Sequence, residues 1–477
     1  MSIYPLSPVL ADMNSLEAIL CDYAQALEAD EFRNPNHVLT HWITKTALSK
    51  IALLLAVLAT GAHFSPLLSS RIRLELCLDF IQRAFKALRL ANYALHPNID
   101  NVQALLIIGN TLGDCGQSDG TWALLGTTIR LAQALGLHTQ SSTGAQDDAT
   151  SQRSRAIWDY LARQDCMLSI SNDRPAMVSM RWLSDPPNPN NARLPPSDVM
   201  RRIARIALRI MNIEQPLNVN QCLEILSDLD DSDSRSELYL QRRDKCLNLQ
   251  QHFQHLTIRF HLSFVASMIC RPALAGSAQI RGEPNFATLR DRAKLSLMST
   301  CRIFLEFQAL SLIPMRTWSI THCVLCCTIL LCVWEETRDN LESRTLQQRV
   351  VEAFSRVAKL DEEAGDDVQG QSPCKSSWLS TGHVLALVAL QKSLRGSTLV
   401  PPEQSNARHS SPGQDSGALL VAYPDVDFNF TTMLGDDVLE QFNDGSWDEA
   451  CLMPVEYLNA IMNTNGKDQL QRSCEIG

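Results

Sequence analysis

Gly116-Gln117-Ser118-Asp119-Gly120 is the stretch of this chain with the spacing of a catalytic motif. A G-x-S-x-G turn between a strand and a helix lifts a serine out of the fold as a nucleophile, to be completed by a histidine and an acid from elsewhere. A helix does follow, from Thr121. The preceding ALLIIGNTL, residues 104–112, looks like a strand only in isolation, because no alternation of strands and helices surrounds it. Ser118 is therefore expected at a turn between helices. A hydrolase using Ser118 on a helical scaffold stays as the alternative.

Cys323-Val-Leu-Cys326-Cys327 carries half of a zinc site, and a second ligand pair at suitable spacing is missing. His322 is adjacent but has little angular freedom to join. The run is otherwise apolar, so these read as buried thiols. His41, His63, His138, His252, His255 and His261 are scattered, and no pair combines metal-ligand spacing with a carboxylate partner. No metal and no cofactor is expected. The 15 cysteines are odd in number and lie in apolar runs, and the opening MSIYPLSPVLADMNS has neither a basic nor an apolar secretory segment. Reduced thiols in the cytosol or nucleus follow.

The best basic feature is MRRIARIALRIM, residues 200–211, with Arg201, Arg202, Arg205 and Arg209 largely on one helical side and Ile203, Ile206 and Ile210 on the other. It reads either as a nucleic-acid or nuclear-import patch or as the solvated face of an amphipathic helix; the second is the commoner use of such a face. The net charge of −10 disfavours tight autonomous binding to phosphate backbones.

The elements that must position these residues read as helices throughout. A hydrophobic content of 45% with 20% charged residues is globular. Residues 1–37 form a lead-in, with Ser15 expected to cap a helix over Leu16–Ala29. Helical periodicity then dominates to about Ser171. Polar loops are expected at 141–151, at the proline-rich 185–197 and at the acidic 228–236, with helices over 239–268, 286–310, 317–336 and 378–394. The apolar runs 51–59 and 323–334 fall short of the ~20 residues of a membrane span and read as core helices. The expected fold is all-α: a large irregular helical domain over 38–395, a Ser/Pro/Gln-rich linker over 396–417, and a flexible acidic C-terminal segment over 418–477.

One helix has a defined stop. In TWALLGTTIRLAQALGLH, residues 121–138, Leu124, Thr128, Leu131 and Leu135 recur at helical spacing, and Gly136 follows where a left-handed residue would end the helix. Trp122, Gly126, Arg130, Leu135, Gly136, Leu137 and His138 together resemble the signature of the fungal-specific transcription factor domain, the middle homology region of fungal zinc-cluster regulators. Downstream, SRAIWDYLARQDCMLSISNDRP resembles a second motif of the family through Arg155, Trp158, Asp165, Arg174 and Pro175. Asp173 stands where that family usually has glycine. A weaker third match is the apolar helix ending in Gly-Ala at residues 47–66. The resemblance spans about residues 38–335. The family's six-cysteine zinc cluster, with basic residues after it, does not occur in this sequence. Arg130 and Asp165 each fall near an apolar face and are expected either to pair across the two motif helices or to reach solvent separately.

The tail differs in kind. From His409 to Gly466 there is no Lys or Arg, while ten carboxylates interleave with Phe428, Phe430, Phe442 and Trp447. Such alternation keeps aromatics solvated and available to a partner's groove, as in an acidic activation segment; a helical tail docked on the domain is the alternative. The resemblance implies a nuclear transcriptional regulator, not an enzyme, acting through a DNA-binding regulator or coactivator proteins. It further implies control of a secondary-metabolite gene cluster and a small apolar effector. No strong autonomous DNA binding and no membrane partner are expected, and a non-transcriptional interaction scaffold is the remaining alternative.

Overall fold

A computed structural model of the chain describes residues 13–396, apart from 30, 32–37, 43, 140–148, 184–192, 214–216, 276–277, 364–378 and 380. The linker and the tail, with Phe428, Phe430, Phe442 and Trp447, lie outside the described residues. Those that are described are all-α, and among them the sole β pairing is an isolated bridge between Leu194 and Ser236.

In chain order the first helices are α1 (Met13–Glu28), α2 (Lys45–Phe64), α3 (Ser70–Leu90), α4 (Ile99–Asp114), α5 (Ser118–Ala134), α6 (Ala149–Asn172), α7 (Pro196–Met211) and α8 (Val219–Ser234). They continue with α9 (Leu238–Gln241), α10 (Leu249–Ile269), α11 (Arg271–Ala275), α12 (Ala278–Arg281), α13 (Phe286–Leu310), α14 (Ile313–Arg316), α15 (Trp318–Val333), α16 (Leu341–Glu363) and α17 (Thr381–Gly396). Caps fix several starts: the side chains of Thr44, Asn98 and Asn248 each accept from a backbone N–H three residues on, and Asn218 with Gln221 forms a reciprocal capping box.

Three apolar clusters fill the interior. One joins α1 to α4 through Leu16, Leu53, Ile81, Leu88 and Ile108. The second joins α4, α5, α6 and the segment after it through Val102, Ile129, Trp158 and Leu161. The third and largest unites α7, α8, α10, α13 and α15 to α17, and its buried residues run from Ile170 to Leu390.

Four expectations are corrected. α1 begins at Met13, so Ser15 lies inside the helix and does not cap it. Most of the acidic run 228–236 is the end of helix α8, which closes at Ser234, and not a loop: Ile225, Leu226 and Leu229 are buried, and the carboxylates meet arginines of neighbouring helices, Asp228 with Arg209, Asp231 with Arg202, Asp233 with Arg259 and Asp230 with Arg292. The helix expected over 239–268 is broken between α9 and α10, where residues 243–245 form a single tight turn. Finally, α2 is longer than its apolar run and is, by length and composition alone, able to cross a membrane. It packs on α3 and α4 and buries Ala52, Leu53, Ala56 and Ala59, as a core helix does.

Candidate functional site

The two motif helices, α5 and α6, pack on each other, and each ends in a left-handed turn. Gly136 has φ +72°; its N–H bonds the Gln133 carbonyl at 2.9 Å, and the Leu137 N–H bonds the Ala132 carbonyl at 3.0 Å. This is the paired closure that a residue without Cβ permits at least cost. α6 closes alike through Asp173, whose φ is +52°, with the Arg174 N–H on the Ser169 carbonyl at 3.0 Å. Asp is among the few side chains that tolerate this conformation.

The turns bring the motif residues into one packing knot. Trp158 is fully buried, and its Nε1 donates to the Trp182 carbonyl at 3.2 Å. The His138 ring lies edge-on to Trp182 at 4.6 Å and tilted to Trp158 at 5.6 Å. Trp122 is half-buried, with the Arg174 guanidinium 5.3 Å from its ring. A Cβ on Gly126 would stand 2.9 Å from the Met177 sulfur, so the glycine permits the close approach of the segment after α6. Leu135 caps α5, Leu137 is buried, Arg155 Nε donates to the Ser151 carbonyl at 3.4 Å, and Pro175 is exposed.

Arg130 and Asp165 do not pair. Arg130 is exposed and donates to Gln133 Oε1 at 3.0 Å. Asp165 is 2% exposed, and its Oδ2 accepts the Met177 and Val178 backbone N–H groups at 2.7 and 2.8 Å. Burial pushes its pKa up, and the two N–H bonds act against that rise. Sequence spacing could not show this, because the partners are main-chain groups.

Behind the knot, α4, α6, α7, α10 and α15 line a partly open cavity of about 400 Å³. Its polar side chains are centred on α6. Asn110 Nδ2 donates to Tyr160 Oη at 3.1 Å. Arg163 Nε donates to the Asp159 carbonyl at 3.2 Å, and its guanidinium lies 5.5 Å from the Tyr160 ring. Burial holds the Arg163 pKa below its ordinary value. His261 Nδ1 donates to the Thr257 carbonyl at 2.7 Å; burial, helped by Arg163, lowers its pKa and keeps it neutral. Met167, Met200, Ile258 and Ile320 supply apolar wall. Sequence spacing does not single out Arg163, and His261 reads there only as one of several scattered histidines. The available signal was an arginine between Ala162 and the Cys166–Met167–Leu168 run on an otherwise buried helix.

Ser118 opens α5, and helix α4 precedes it, so the strand that a nucleophile elbow requires is absent there. Cys323, Cys326 and Cys327 are buried on α15, and burial raises all three thiol pKa values, Cys326 to about 12. The one grouping among the described residues that could hold a metal ion lies elsewhere: the ligand atoms of His63, Cys77 and Cys115 fall within 4.8 Å of one another. As placed, they form a hydrogen-bonded chain, Cys77 to Cys115 at 3.7 Å, Cys115 to His63 Nδ1 at 3.7 Å, and His63 Nε2 to the Arg316 carbonyl at 2.9 Å. This chain ties α2, α3, α4 and α14 together.

The arginine face of α7 is not a free basic patch. Arg201 pairs with Asp159 and Asp198, Arg202 with Asp231, and Arg209 with Glu224 and Asp228. Acids of α6, α7 and α8 thus engage three of its four arginines.

Fold and site together define an all-α domain with a partly open cavity beside a helix pair closed by two left-handed turns. Residues 42–264 match the family described as fungal specific transcription factor domain. Over 132 residues the chain is 29% identical to an uncharacterized transcriptional regulatory protein of Schizosaccharomyces pombe, covering 27% of this chain and 17% of that protein. Over 182 residues it is 26% identical to the transcription factor macR of Penicillium terrestre, covering 36% of this chain and 20% of macR. The matches thus span about a fifth of the length of these curated relatives. The packing does not stop where the family match does: α10 and α13 share one core beyond Phe264.

Proposed function

We propose that the chain is a nuclear transcriptional regulator that acts through protein contacts, with residues 38–395 as one regulatory unit. The observation that carries this reading is the family domain over 42–264, supported by relatives that are themselves transcriptional regulators. Delivery to DNA falls to a DNA-binding regulator: Arg201, Arg202 and Arg209 of α7 are occupied by the protein's own acids, and the net charge is −10. Output goes to coactivators through the acidic, aromatic tail. The chain is no enzyme in this reading, since Ser118 sits between two helices. A small-molecule effector enters through the cavity behind α6. Control of a secondary-metabolite gene cluster is the finer form of the proposal and rests on the family resemblance.

The test is the full chain fused to a heterologous DNA-binding domain upstream of a reporter, with tagged chain imaged in the same cells. Reporter output changed by the fusion, with nuclear signal, is the expected result. A reporter left at the level of the DNA-binding domain alone overturns the reading.

A further inference from the structure

The cavity behind α6 contains a half-buried cation, Arg163, that makes no direct ion pair among the described residues; Asp159 and Asp198 act on it only through space. Arg163 lines it, and among the described residues the sole hydrogen bond of its side chain is from Nε to the Asp159 carbonyl of its own helix. The nearby acids are engaged elsewhere. Asp159 and Asp198 hold Arg201, and Asp114 accepts the Trp318 backbone N–H at 2.9 Å. His261, on α10 beside it, is kept neutral and adds no negative charge. A charge partly withdrawn from water is stabilised by a paired, hydrogen-bonded partner. A guanidinium offers a planar fork of donors suited to a carboxylate. The remaining wall is largely apolar, through Met167, Met200, Ile258 and Ile320, and the volume of about 400 Å³ is in the range of small-molecule sites.

We propose that this cavity binds a small amphipathic carboxylate, with its carboxylate forked on Arg163 and its hydrocarbon body against Met167, Met200, Ile258 and Ile320. The site joins α4, α6, α7 and α10, which lie within or across the family match at 42–264, to α15, which lies beyond it. Occupancy therefore clamps the matched region to the C-terminal helices, the coupling an effector needs to change what the chain presents to a partner. This inference deepens the effector part of the proposed function and rests on it for its biological meaning. Binding itself is read on purified protein and stands or falls apart from the reporter.

The experiment uses the purified full chain, isothermal titration and thermal melting, with decanoate and 1-naphthoate as probes and decan-1-ol and decyltrimethylammonium as neutral and cationic controls. At least one carboxylate is expected to bind and to raise the melting temperature, with decan-1-ol about tenfold or more weaker and the cation not bound. R163M is expected to lose about tenfold or more in carboxylate affinity, to keep its affinity for decan-1-ol, and to melt no lower than the parent, since it removes an unpaired charge. R163K, which keeps the charge but loses the fork, is expected between the two. Failure of both carboxylates to bind, equal binding of acid and alcohol, or an R163M chain that binds carboxylate undiminished overturns the proposal. If R163M does not fold, M200W supplies the answer: it fills the cavity and is expected to abolish binding of acid and alcohol alike, and full retention overturns the site.

Discussion

The Arg174 guanidinium lies 5.3 Å from the ring of Trp122, joining the residue after α6 to the first turns of α5. Both residues belong to motifs that the sequence keeps 52 positions apart. The contact is cation–π at a half-buried site, worth about 0.5–1 kcal/mol. The neighbouring anchor is stronger. Asp165→Ala would leave the Met177 and Val178 N–H groups without their acceptor, at roughly 1–3 kcal/mol each where buried. Chemical denaturation is expected to show a loss of roughly 2–4 kcal/mol for D165A and of about 0.5–1 kcal/mol for R174M. Equal small losses would mean that Asp165 does not hold this segment.

The two left-handed turns predict opposite outcomes from opposite substitutions. A Cβ in this conformation costs about 1–2 kcal/mol, less for Asp, so Gly136→Ala is expected to lower stability by about 1 kcal/mol. Asp173→Gly relieves that strain at φ +52°, offset in part by a freer unfolded chain, and is expected to raise stability by up to about 1 kcal/mol. Melting curves of both variants check this. A destabilised D173G would show that the aspartate is favoured at this position for some other reason.

Much of this knot was legible and some was not, for physical reasons. The period of 3.6 exposed α5, α6, α13 and α15, and Gly136 marked its own turn, because these signals are local. The same reading treated 228–236 as a loop, since a run of aspartates has poor helix propensity. Its helix buries Ile225, Leu226 and Leu229 and sets the aspartates against four arginines on three other helices, which no local window contains. The cavity was invisible for the same reason: Arg163 and His261 become neighbours only when α6 meets α10.

A histidine-rich patch of the core predicts acid lability. His322 is fully buried, stacked on Trp318 at 4.7 Å, and donates from Nε2 to the Ser171 carbonyl at 3.1 Å. Burial lowers its pKa to about 4, and burial with His322 beside it lowers that of His383 well below its ordinary value. A histidine whose folded pKa is depressed stays neutral in the fold while the unfolded chain takes up a proton. Stability is therefore full above about pH 6.5 and falls as pH drops towards 4, by about 3 kcal/mol for His322. Asp165, with its raised pKa, acts in the opposite sense in the carboxylate range. The variant H322Q isolates the histidine contribution: its melting temperature is expected to depend less on pH between 6.5 and 4 than that of the parent. Parallel profiles would remove His322 as a cause.

Purified chain is expected to show no sequence-preferring binding to promoter DNA at physiological salt, because its net charge is −10 and Arg201, Arg202 and Arg209 of α7 are paired internally. A competitor-resistant shift by the chain alone would overturn this. A shift that appears only with a second regulator is the outcome expected if the chain reaches DNA through a partner.

The tail gives the last prediction. Residues 409–466 combine ten carboxylates with Phe428, Phe430, Phe442 and Trp447 and contain no Lys or Arg. In such a segment the aromatics supply contact area in a partner's groove, and the acids keep them in water until they are used. Fused to a heterologous DNA-binding domain, this segment is expected to activate a reporter on its own. Replacing the four aromatics with Ala is expected to lower activity more than replacing four of the acids with Asn or Gln, because each aromatic buries a large apolar surface on binding while single exposed charges contribute little. Equal loss from both sets would assign the output to net charge. A silent fusion, or an aromatic variant of full activity, would remove the tail as the output arm and leave protein contacts of the helical domain to carry regulation.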